Sequence, residues 1–141
     1  MHELNIEANV QLFYDSWNRG DTSTMMPMFA PNAIDHNYVT GVGRSEDLMG
    51  ALVALRKAFP DLKFKVLELA VDSKRQIATY NLECEGTHQS AYYDFPPSGK
   101  IVKWREMRMS RWHEGRVAEH WTVSEVFAIL CAQQRSDSVG S

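Results

Sequence analysis

The chain has 141 residues, 44% of them hydrophobic, and its 15 basic and 18 acidic side chains leave a formal net charge of −3. That length suits one domain able to enclose both a core and a pocket. The two signs are interspersed, which argues against the basic stripe of a nucleic-acid or anionic-lipid binder, and Cys84 and Cys131 are too few and too far apart for a disulfide framework or a zinc spacing.

No apolar run approaches the roughly 20 residues of a membrane span. The opening stretch "MHELNIEANVQ" lacks the basic and apolar regions of a signal peptide, so a cytoplasmic protein with free thiols is expected.

In chain order, Val10, Phe13, Tyr14 and Trp17 fall on one face of a helix that stops at Asn18-Arg19-Gly20. "DTSTMMPMFAPNA" offers Asp21, Thr22 and Ser23 as caps and contains Pro27 and Pro31, so any helix there is short. "IDHNYV" reads as a brief strand, and Gly41-Val42-Gly43 as a turn. Ser45 then caps a second helix, whose Leu48, Leu52, Leu55 and Phe59 form its apolar stripe.

Beyond Pro60 the period changes to that of strands. "LKFKVLELAVD" alternates, slips one place and alternates again, the mark of a strand bent by a bulge. "RQIATYNLECEGTH", "KIVKWREMRMSRW" and "RVAEHWTVS" follow, with a tight hairpin at His113-Glu114-Gly115. "EVFAILCAQQ" is a short closing helix. The expectation is one α+β domain over residues 1–134 and a disordered tail over 135–141.

Strand parity sorts the polar residues. Ala78, Tyr80, Leu82, Cys84, Gly86 and His88 share the face expected to be buried. On the next strand Trp104, Glu106, Arg108 and Ser110 are assigned inward, because tryptophans favour burial and an enclosed Glu-Arg pair satisfies its own hydrogen bonds. The opposite face, with its methionines and cations, is the outer one, suited to partial cover by a second subunit. In "RVAEHWTVS" parity alone does not choose between Ala118, His120, Thr122 and Ser124 and the alternate set.

The succession "IDHN" (34–37), "FPDL" (59–62), "EGTHQSAYYDFPPSGK" (85–100) and "GRVAEHWTVSEVFAIL" (115–130), with "SWNRGD" and "GVGR" before it, resembles the SnoaL-like polyketide cyclases over nearly the whole chain. The resemblance implies a cone in which a curved antiparallel sheet wraps round N-terminal helices, leaves a deep pocket, and pairs as a homodimer. It also implies acid/base ring closure with no cofactor and no metal. The family's acid after the last-strand tryptophan falls here on Thr122, and its histidine on the preceding strand falls on Arg108. Both depart from the cyclase pattern. The same likeness turns His120 and Thr122 toward the pocket with Arg108.

Each candidate has two readings. His120 and His88 are general bases, or a satisfied core histidine and a strand-end histidine bonded to loop backbone. Asp35 and His36 point to opposite faces, so one at most reaches the pocket; the family pattern favours His36. Glu106 and Arg108 are an anion-stabilising arginine with its holder, or a structural ion pair.

Tyr14, Trp17, Tyr80, Trp104 and Thr122 are pocket wall or core. Tyr92, Tyr93 and Phe95 form a lid or anchor their loop, and Glu125 complements a helix N-terminus. The leading expectation is proton transfer by His120, His88, His36 and Glu106, with Arg108 stabilising negative charge on a small hydrophobic carbonyl or ester. The rivals are a non-catalytic binding protein, a hydrolase of the same fold, or a dimeric scaffold with no small ligand.

Overall fold

The computed structural model describes the backbone of residues 5–37 and 41–140, and the side chains of 5–36 and 50–136. The strand residues Tyr38 and Val39, the capping role of Ser45 and the packing of Leu48 lie outside the described residues.

Helix α1 (Ile6–Arg19) starts where the Asn5 side chain accepts the Ala8 N–H at 2.8 Å. It ends at Gly20, whose φ of 73° is the left-handed cap that glycine adopts freely, returning its N–H to Ser16 and Trp17 carbonyls. The predicted stripe is the buried one. Asp21 caps the single turn α2 (Thr22–Met25), and a 3-10 turn over Met26–Met28 leads into β1 (Phe29–Asn37).

β1 thus starts earlier than the sequence reading placed it and passes through Pro31. The proline lies in the irregular stretch between the Phe29 and Ile34 pairings, where no ladder N–H is required of it.

β2 (Gly41–Arg44) pairs antiparallel with β1, so the glycine segment read as a turn is a strand. At a sheet edge backbone pairing suffices, and the glycines need no side-chain packing. α3 (Ser45–Ala58) follows, then β3 (Lys63–Asp72), β4 (Ile77–Thr87), β5 (Ile101–His113), β6 (Arg116–Ser124) and α4 (Val126–Gly140). Helix α4 continues through the segment expected as a disordered tail; no proline or glycine interrupts it before Gly140. None of the described helices is long and apolar enough to cross a membrane.

The strands form one open, curved sheet of 6 strands in the order β2-β1-β6-β5-β4-β3. It is mixed rather than wholly antiparallel, because β1 runs parallel to β6. The bulge foreseen in β3 lies between Val66 and Leu69. Glu114 and Gly115, both with positive φ (50° and 76°), make the β5–β6 hairpin turn, whose twist matches its strands.

β5 alternates strictly, with Val102, Trp104, Glu106, Arg108, Ser110 and Trp112 buried. On its outer side the charges pair across strands, Lys103 with Glu85 at 3.2 Å and Arg105 with Glu83 at 3.5 Å.

Two of the motifs meet at the end of α3. Phe59 and Leu62 are fully buried, and the Asp61 carboxylate accepts both the N–H and the hydroxyl of Thr87, each at 2.7 Å. Those two bonds hold the Asp61 carboxyl below its usual range. Gly86 lets the strand pass beneath: a Cβ there would lie 3.0 Å from Phe59 Cβ and 3.2 Å from the Leu62 backbone.

Among the described residues the deep pocket expected between sheet and helices is not found. Phe13 and Tyr14 from α1 and Leu52 from α3 fill that side, leaving a hollow of about 20 Å³. Gly86→Ala should cost about 1–3 kcal/mol by overpacking, seen as a lower midpoint in urea unfolding.

Candidate active site

The sheet register assembles the site. Tyr80 on β4 and Thr122 on β6 lie directly opposite Arg108 on β5, and one row along, Ser110 faces His120, which in turn faces Asp35 on β1. All these side chains project from the buried face. Asp35, Glu106, Arg108 and His120 are 4%, 4%, 7% and 6% exposed. Four ionisable groups enclosed so completely need internal partners.

They have them. Arg108 grips Glu106 Oε1 through Nε at 2.8 Å and Nη2 at 2.6 Å, and its Nη1 donates to the Tyr14 hydroxyl at 3.0 Å. Glu106 Oε2 accepts from Trp104 Nε1 at 2.8 Å and from Ser124 Oγ at 3.0 Å. The guanidinium lies over the Phe64 ring at 5.1 Å.

Burial alone would lower the pKa of Arg108, but the Glu106 carboxylate together with Tyr14, Tyr80 and Cys84 outweighs it, and the guanidinium stays charged. These contacts use three N–H groups and leave two of the guanidinium's five donors. Tyr14 shares a hydrogen bond with Tyr80 at 3.0 Å, and burial, opposed by Arg108, holds both phenols protonated.

Across the hollow, His120 Nδ1 faces Asp35 Oδ1 at 3.3 Å and Thr122 Oγ1 at 3.4 Å. Burial pushes the imidazole below its ordinary pKa, with the nearby Arg108 charge adding to that and the Asp35 bond opposing it. A neutral ring with its N–H turned toward a carboxylate carries its lone pair on Nε2. That is the atom a base needs.

His120, Arg108, Tyr14 and Tyr80 all line the hollow. The other predicted residues do not. His36 is on the outer face, where it stacks on Trp121 (4.9 Å, 11°) and bonds Glu119 Oε2 at 2.8 Å, so the inward member of the Asp35–His36 pair is Asp35. Parallel pairing with β6, which sets Asp35 opposite His120, decides this.

His88 lies beyond Trp104 under the end of α3, against Phe59 and a different pocket. Trp17 is core: its indole donates to the Leu62 carbonyl at 3.1 Å and carries the Arg56 guanidinium at 4.2 Å. Trp104 supports Glu106 rather than lining the space, and Glu106 is itself fully engaged. Tyr92, Tyr93 and Phe95 anchor their loop on Phe127 of α4.

Glu125 accepts the Arg105 backbone N–H at 3.1 Å and donates its own N–H to the Arg105 carbonyl at 3.1 Å, continuing the β5–β6 contact past Ser124. Ser110 faces inward as strand parity assigns it, but a lone serine on a strand carries no sequence signal for the bonds that Ser110 and Ser124 make to Trp112 and Glu106. Among the described residues no three His, Cys, Asp or Glu side chains converge as metal ligands would.

A family model for the SnoaL-like polyketide cyclases matches residues 8–133. The chain belongs to this family. Among solved structures it is similar to IdmH, a proposed polyketide cyclase from Streptomyces antibioticus, with 25% identity and a TM-score of 0.77 over 89% of this chain and 95% of that one. It is equally similar in sequence to AclR, a proposed hydroxylase from Streptomyces galilaeus, at 25% identity and a TM-score of 0.75 over 84% and 86% of the two chains.

A SnoaL-like protein from Jannaschia shares the fold at 18% identity, TM-score 0.77, covering 90% and 89%. No protein of curated function matches the sequence. Within this SnoaL-like chain the Asp35–His120 pair lies beside Thr122 and Arg108.

Glu106→Leu should destabilise the protein by about 3–5 kcal/mol, because Arg108 is then buried without its counter-charge. The double variant Glu106→Leu/Arg108→Leu should recover much of that loss in the same denaturation experiment.

Proposed function

We propose that this SnoaL-like protein is a cyclase/isomerase-type enzyme that moves a proton on a small hydrophobic carbonyl or ester compound by acid/base catalysis. The observation that carries the reading is the neutral His120, backed by Asp35 and facing the same hollow as the cationic Arg108. His120 Nε2 would take a proton from the carbon next to a carbonyl. The electron pair left behind passes to the carbonyl oxygen, and the free N–H donors of Arg108 face that charge. The enolate then either attacks a second carbonyl, whose π pair opens to an alkoxide that takes the proton back from His120 as the new C–C bond closes the ring, or, where it is conjugated with a C=C bond, regains that proton at the far carbon, moving the double bond.

The likeness to IdmH and to AclR is equal in sequence identity, so it does not choose between their chemistries. A buried base beside a fixed cation favours proton transfer. Thr122, where the family's cyclases carry an acid, supplies only a hydroxyl; here the negative partner comes from Asp35 across the β1–β6 pairing. Substrate entry requires the hollow to widen, and Phe13 and Leu52, which line its helical side, are the groups that would turn aside.

A homodimer through the outer sheet face belongs to the same reading. Met107 and Val123 are directly paired there and 55% and 56% exposed. Free Cys84 and Cys131 thiols fit a cytoplasmic setting.

The test is deuterium exchange at the acidic C–H of benzoylacetone, a hydrophobic β-diketone, followed by NMR in D2O. The protein should accelerate exchange, and His120→Gln should lose about 10²-fold or more of that acceleration. The active form is neutral His120, whose pKa is depressed. The rate should therefore rise with pH, reach half its maximum below the ordinary imidazole value of about 6.5 and be flat above it. Equal acceleration by His120→Gln would refute the assignment. For the dimer, Met107→Glu should shift the sedimenting species from dimer to monomer.

A further inference from the structure

His88 is the buried group that the proton-transfer site does not use. It is 1% exposed, and its Nε2 is, among the described residues, a buried side-chain nitrogen with no hydrogen-bond partner. Buried polar atoms are almost always paired, so an orphan of this kind calls for an explanation. The ring is held firmly. It stacks on Phe59 at 4.9 Å and 26°, and its backbone is tied on both sides, His88 N–H to Lys100 at 3.0 Å and Gly99 N–H to His88 at 2.9 Å.

The imidazole also bonds the Ser90 backbone, in a sense that favours its protonated form. With Nε2 unpartnered, that bond is made at Nδ1. Burial nonetheless lowers the pKa of the ring. A neutral imidazole that keeps its hydrogen on Nδ1 offers a bare acceptor at Nε2.

His88 opens onto a pocket of about 120 Å³, walled by Phe95, Pro96, Pro97 and Leu130 with Ser98 and Gln133 among its polar edges. No lining residue is shared with the Arg108 hollow, and none of them carries a formal charge. The size is near that of the roughly 150 Å³ apolar cavity that holds benzene in another protein. Two prolines, a phenylalanine and a leucine offer flat apolar cover, and the acceptor nitrogen asks for a donor.

We propose that the His88 pocket is a second binding site, for a small neutral ring bearing a hydroxyl, of which phenol is the simplest, with the hydroxyl donating to His88 Nε2. The proposal does not rest on the proton-transfer reading; the two sites are tested by different histidines.

The experiment is titration of the ¹⁵N-histidine-labelled protein with phenol and, separately, with anisole, which has the same ring and no donor. Phenol should move the His88 Nε2 signal saturably. Anisole should bind at least about tenfold more weakly, the loss expected for one unmade hydrogen bond. Gln133→Trp, which fills the pocket from its half-buried edge on α4, should abolish the phenol response at His88 and leave the His120 signals in place. His88→Phe removes the acceptor, but Gln133→Trp decides the matter even if that variant does not fold. Equal affinity for anisole and phenol, no saturable change at His88, or a response that survives Gln133→Trp would overturn the proposal, and water alone would then occupy the pocket.

Discussion

The buried contact between Arg108 and Glu106 is the interaction on which the rest of the site depends. A guanidinium enclosed to this degree survives only with a counter-charge and with its N–H groups directed at acceptors. Glu106 supplies both and is itself secured by Trp104 and Ser124. The fixed cation in turn sets the condition of its neighbours. It keeps the hollow polar on one side and adds to the desolvation that holds His120 neutral. Removing the positive charge would change the histidine without touching it.

Around that pair the sheet acts as a positioning grid. Direct opposition of Tyr80, Arg108 and Thr122, and of Ser110, His120 and Asp35, follows from register alone, and a slip of one residue in any of these strands would turn its members to the other face. Helix α1 closes the arrangement from above through Tyr14, whose hydroxyl joins Arg108 to Tyr80. The arrangement of the candidate site and the packing of the fold therefore draw on the same set of hydrogen bonds.

Much of this was readable in the chain. The inward set on β4 was legible from the alternation of tyrosine and leucine with glutamate, and that on β5, where neither face is purely apolar, from its tryptophans and from a Glu-Arg pair able to satisfy its own hydrogen bonds. The motif set around FPDL and GTH gave the family. What the residues did not disclose were relations between distant segments. Whether Asp35 or His36 turns inward is decided by how β1 lies along β6, and no local pattern encodes that. The glycines of β2 resembled a turn because edge pairing is made by backbone. The volume of the hollow depends on how far Phe13, Tyr14 and Leu52 reach into it, which a list of apolar positions does not contain.

The parallel pairing of β1 with β6 has a temporal meaning. Asp35 and His120 are separated by 85 positions, and the strand that carries the histidine is the last to be synthesised. While the polypeptide is still emerging from the ribosome, α1 and the first strands can gather, yet the acid waits without its base until the C-terminal hairpin arrives to dock beside it. Closing so long a loop is among the slower events in building a small domain. The Asp35–His120 contact therefore cannot form before the architecture is essentially complete.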